Sequence, residues 1–96
     1  MNQYLITAMD YTHPEAPGNR ARVRPAHLEN MRQYKDDGNL ISAGAILDEQ
    51  GGMIGSALIM QFETREALDD YLHNDPYILE KVWEKVDIKP FKVAIL

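Results

Sequence analysis

The chain has 96 residues, enough for one hydrophobic core and too few for a second, so residues 1–96 are expected to form a single domain. Hydrophobic residues make up 45% and charged residues 26%, the balance of a folded globular chain rather than a disordered one. Ten basic residues against 15 acidic ones leave a formal net charge of -5, with no run of Lys or Arg to neutralise successive phosphates, which excludes nucleic acid as an expected partner.

Gln3 to Met9 is rich in β-branched and apolar residues and predicts a first strand, followed by a loop over the polar, Pro-containing stretch from Asp10 to Asn19. From Pro25 to Asp37, Leu28, Met31 and Tyr34 recur at helical spacing. Pro25 suits the first turn of that helix and Gly38 its stop. Leu40–Leu47 and Met53–Phe62 read as two strands of a hairpin, joined by Asp48 to Gly52, whose glycines allow a tight turn. Thr64 can cap a second helix with Ala67, Leu68, Tyr71 and Leu72 on its buried side, ending near Asn74. Asp75-Pro76 then opens a short helical piece that includes Ile78, Leu79 and Val82, and Val86 to Leu96 reads as a last strand in which Pro90 signals an edge.

The order βαββαβ is that of a ferredoxin-like α+β domain with an antiparallel sheet. Strand positions on both faces are apolar: Leu58 and Met60 alternate with Ala57 and Ile59, and Val93 and Ile95 with Ala94 and Leu96. Two helices cover one face only. The other face calls for a second copy of the chain, giving a homodimer of the dimeric α/β-barrel kind, and a domain this short gains from such burial. No apolar stretch approaches bilayer length, Ile54 to Met60 being among the longest, and the N-terminus has no signal-like run, so no membrane partner and a cytoplasmic location are expected.

The chain has no Cys, which removes disulfides, thiolate metal sites and a Cys nucleophile. His13, His27 and His73 lack ligand spacing, and no Walker loop, GxGxxG or GxSxG motif is present, so neither a metal nor a cofactor is expected. His27 lies one turn before Met31, on the inward stripe of the first helix, where an imidazole needs a partner. Its expected place in the first turn exposes it to the helix dipole, which favours the neutral ring, whereas a nearby carboxylate would favour the charged one. On spacing alone a satisfied core histidine is the commoner reading. Asp75 before Pro76 has the form of a helix cap, and a carboxylate held that way can also accept from an imidazole N–H. Arg24, three residues before His27, can present a guanidinium to an anionic substrate or simply be exposed. Ser42 and Gly44 can line a pocket wall from the second strand, or be a strand serine and a bulge glycine. The scattered aromatics, Tyr77 among them, suit core or pocket lining better than a stacking platform.

The set Arg24-Pro25-Ala26-His27-Leu28, Gly38-Asn39-Leu40-Ile41-Ser42-Ala43-Gly44, Gly55-Ser56, Phe62 with Glu66-Ala67, Asp75-Pro76-Tyr77 and Lys89-Pro90-Phe91 resembles the YCII (YciI-like) family. The resemblance spans the chain from the first helix to the last strand. It implies a ferredoxin-like homodimer whose pocket pairs a His with an Asp, which map onto His27 and Asp75, with Ser42 at a polar position grouped with them. Activity known in the family includes a dehydrochlorinase-like elimination on a chlorinated ring compound. The expectation is therefore a cofactor-independent lyase or isomerase that moves a proton on a small anionic organic molecule. His27 and Asp75 are its catalytic pair, and Arg24, Ser42, Gly44 and Tyr77 bind its substrate. The alternative is a homodimer that binds a small ligand without chemistry.

Overall fold

In β1 (Asn2–Asp10) every second side chain, Tyr4, Ile6 and Ala8, is buried, the period-2 pattern of a strand with one face on the core. The computed structural model describes residues 1–96. After β1 come α1 (Ala16–Asp36), β2 (Leu40–Leu47), β3 (Met53–Phe62), α2 (Arg65–Asn74), α3 (Pro76–Leu79) and β4 (Trp83–Phe91). The strands form one sheet in the order β2-β3-β1-β4, antiparallel throughout, which is the α+β ferredoxin-like arrangement that the element order predicts. Tyr4 pairs with Met60, Ile6 with Leu58 and Ala8 with Ser56, so these six residues share the face covered by the helices. All but Ser56 belong to one core with Val23 and Met31 of α1, Leu68 and Tyr71 of α2, Tyr77 of α3, and Val82 and Trp83.

The local signals explain the element ends. Thr64 Oγ1 accepts from Ala67 N at 3.2 Å as the N-cap of α2. Gly38 after α1 and Gly51 in the hairpin have φ of +84° and +86°, where a side chain would be strained. Pro90 does lie in an edge strand, since β4 pairs with β1 alone.

The structure corrects three elements. The first helix begins at Ala16, so the expected loop from Asp10 to Asn19 gives way to helix from Ala16 onward, and the first-turn proline is Pro17 rather than Pro25. Pro25 sits inside α1 on its exposed side, where water can solvate the carbonyl one turn earlier that loses its donor. His27 is therefore mid-helix, far beyond the turn in which the dipole acts. The last strand runs from Trp83 to Phe91, and Val93 to Leu96 belong to no strand. The alternation expected at Val93 to Leu96 thus adds nothing to the sheet. The short helix α3 likewise ends at Leu79, before Val82.

Candidate active site

Ala16, Arg20, Val23, His27 and Met31 recur every three or four residues and form the buried stripe of α1. This places His27 over the start of α3, where Asp75 is fully buried at the junction of α2 and α3. Pro76 restricts the residue before it to extended backbone, and Asp75 accordingly has φ -66° and ψ 131°. A carboxylate with no solvent must have its oxygens satisfied from within. Oδ1 accepts from Tyr77 N at 2.8 Å and from His27 Nδ1 at 2.8 Å. Oδ2 lies 3.1 Å from the same Nδ1 and accepts from the Tyr71 hydroxyl. Asp75 is thus a helix cap and the partner of His27 at once.

An ionised carboxylate can only accept, so its contact assigns the proton of a neutral His27 ring to Nδ1 and leaves Nε2 with a lone pair. Nε2 has no protein partner, is not sealed from solvent, and belongs to a ring that lines a cleft of about 410 Å³ between α1 and β2. Tyr77 lies flat against the imidazole at 3.8 Å between centroids and 7° between planes, and Trp83 meets it edge-on at 5.6 Å. Two aromatic contacts and the hydrogen bond to Asp75 therefore fix the ring plane. Burial, then the Asp75 charge and the hydrogen bond to it, push the Tyr71 hydroxyl far above its ordinary value, so it stays a donor to Asp75. Burial also raises Tyr77, against the opposing charges of Arg20 and Arg24.

The cleft is strongly cationic for a chain of net negative charge. Arg20, Arg24, Arg32 and Lys35 line it together with His27, and no Asp or Glu does. Arg32 pairs with Glu29 at 3.2 Å, while Arg24 and Lys35 have no carboxylate partner. Among the residues expected at the site, His27, Arg24 and Tyr77 converge on this cleft with side chains from α1 and α3. Ser42 and Gly44 also line it, but they pair with Ile59 and Ala57 on the sheet face away from the helices, so it is their backbone that borders the cleft.

A buried network beneath Tyr77 has no counterpart in the sequence reading. Arg20 Nη1 donates to both oxygens of Asp10 at 2.8 and 2.9 Å, its Nη2 donates to Ser56 Oγ at 2.9 Å, and its guanidinium covers the Tyr77 ring at 4.9 Å. Trp83 Nε1 donates to the same Ser56 oxygen at 3.1 Å. Arg20 lies between the expected loop, which ends at Asn19, and the expected helix start at Pro25; the signal for it was the three- or four-residue spacing back from His27 through Val23 and Arg20 to Ala16, on the far side of Pro25.

Residues 3–92 match the family described as YCII-related domain. Protein YciI of Escherichia coli O6:H1 is 37% identical over 95 residues, covering 93% of this chain and 95% of that protein. An uncharacterised protein of Haemophilus influenzae is 38% identical over the same length and shares. Among solved structures, the 5-chloro-2-hydroxyhydroquinone dehydrochlorinase TftG of Burkholderia phenoliruptrix AC1100, in complex with 2,5-dihydroxybenzoquinone, superposes with a TM-score of 0.82. It is 23% identical, with 96% of this chain and 95% of that one covered. That likeness speaks to the fold, whereas the sequence matches speak to descent: the chain belongs to the YCII-related domain family.

Proposed function

We propose that this protein is a cofactor-independent enzyme that moves a proton on a small organic anion, as a lyase or an isomerase. The observation that carries the reading is the buried His27–Asp75 contact, with Nε2 left open to a cleft lined by cations and by no carboxylate. His27 Nε2 removes a proton from substrate carbon, and Asp75 holds the ring and balances the imidazolium that forms. The electron pair then expels a leaving group from the neighbouring carbon, or the proton returns at another position. Arg24 holds the substrate anion beside the base. Tyr77 walls the pocket with the backbone of Ser42 and Gly44. The dehydrochlorinase activity named for TftG supports the elimination variant, since loss of chloride after proton removal is the same class of step.

The working unit in this proposal is a homodimer. Leu5 pairs with Ile59 and Thr7 with Ala57 on the sheet face that no helix covers, leaving an apolar strip for a second copy.

The test is a panel of small carboxylic acids, screened first by thermal shift, because a ligand of the folded state must raise its stability. Hits are then incubated in D2O and followed for deuterium uptake or product. Wild type should exchange or convert a bound acid. His27→Gln should bind it and do neither, and Asp75→Asn should lose about a hundredfold or more in rate, since an amide can hold the wrong tautomer of the ring. Asn caps a helix about as well as Asp, so Asp75→Asn should keep the fold. Unchanged turnover in both variants would defeat the proposal.

A further inference from the structure

Hydrogen-bond arithmetic at the bottom of the cleft leaves donors unused. A serine hydroxyl has two lone pairs and one proton. Both lone pairs of Ser56 are taken, by Arg20 Nη2 at 2.9 Å and Trp83 Nε1 at 3.1 Å, and its proton has no protein acceptor. Arg20 Nε and the Tyr77 hydroxyl are likewise buried without a partner. Arg20 is 5% exposed, Ser56 3% and Tyr77 1%, so bulk water does not satisfy them, and all three residues line the same cleft as His27. Buried polar groups without partners are uncommon in native proteins, and two of them on residues lining one cleft, beside a hydroxyl whose proton is unused, select for an acceptor brought in from outside.

We infer that Ser56, Arg20 and Tyr77 form a receptor for a carbonyl or enolate oxygen, so that the substrate is a small carboxylic acid bearing a carbonyl group. The inference rests on the proposed anion-binding role of the cleft and adds a second recognition point to it. Arg24, exposed on α1, takes the carboxylate. The three floor donors take the carbonyl oxygen. When His27 Nε2 accepts the proton from the carbon beside that carbonyl, the C–H electrons form the C=C bond and the carbonyl pair moves onto oxygen, where the donors stabilise the enolate. Burial keeps the Tyr77 hydroxyl protonated and therefore able to donate.

NMR titrations with pyruvate, which has both groups, and acetate, which has only the carboxylate, separate the two recognition points. Wild type should bind pyruvate about tenfold or more tightly than acetate, the scale of a buried hydrogen bond to a developing or partial charge. Tyr77→Phe removes a hydroxyl that has no protein partner, so it should melt at or above the wild-type temperature while losing most of the pyruvate preference. Ser56→Ala should lose that preference too, with acetate affinity unchanged. Equal affinity for the two acids in wild type, or a full preference in Tyr77→Phe, would overturn the receptor while leaving the anion reading intact. Acetate binding that survives Arg24→Gln unchanged, or binding of neither acid, would overturn the anion reading and the receptor with it.

Discussion

Asp75 shows how one residue serves the fold and the site together. Its backbone position caps α3, yet only one of its acceptor contacts belongs to the cap, and the others hold His27 and Tyr71. The dual role has a consequence for pH dependence through Tyr71. Its folded-state value lies above the unfolded one near 10.0, so the stabilisation is complete below about pH 10 and is lost as pH rises further, where the unfolded chain ionises and the folded one resists. Urea denaturation from about pH 9 to about pH 11 should show wild type losing stability over that range and Tyr71→Phe losing clearly less. Parallel losses in the two proteins would remove Tyr71 from the account. Legibility at this scale was uneven. His27 and Asp75 stood out because a histidine on an apolar stripe and an aspartate before proline each have a local signature. Ser56 stood out only within the Gly55-Ser56 motif and Arg20 only through its helical spacing, and neither signal shows their link, which is a contact across 36 residues.

At the scale of elements, the first three strands, the hairpin and α2 were written in local patterns, and the start of the first helix and the bounds of the last strand were not. Pro25 has the same chemistry at the first turn of a helix as in its middle, and only the residues before it distinguish the cases. The spacing from Ala16 through Arg20 and Val23 to His27 runs across Pro25 unbroken, and the packing of that stripe outweighs the lost hydrogen bond. The cost of the proline should therefore be recoverable. Pro25→Ala is expected to stabilise the protein by about 1 to 3 kcal/mol, because it restores a helix donor and removes the ring's clash with the preceding turn. Chemical denaturation measures this directly. A destabilised Pro25→Ala would mean that a bend at Pro25 is what brings the Arg20 and His27 halves of α1 to the sheet.

The whole molecule is a sheet with one face under helices and one face open. On the open face β4 presents Lys85, Asp87 and Lys89, whereas the central strands present Leu5, Thr7, Ala57 and Ile59, so the apolar area is a strip rather than the full sheet that strand alternation suggests. Isolated surface apolar residues are ordinary, and it is the continuity of this strip along paired strands that supports the proposed dimer. Sedimentation should give about twice the mass of one 11.0 kDa chain. Ile59→Glu, which puts a charge in the middle of the strip, should shift the protein to a monomer or unfold it. A wild-type monomer at micromolar concentration would count against the dimer and leave the cleft chemistry untouched, because His27, Asp75 and Arg24 come from one chain.

In the proposed mechanism Asp75 fixes the tautomer of His27 so that Nε2 faces the cleft as a base. Nitrogen-15 NMR of the imidazole at about pH 9, above the usual histidine range, reads the tautomer without any substrate. Nδ1 should be protonated, its proton shifted downfield by the carboxylate, and Nε2 unprotonated. A ring protonated at Nε2, with Nδ1 bare, would contradict that mechanism.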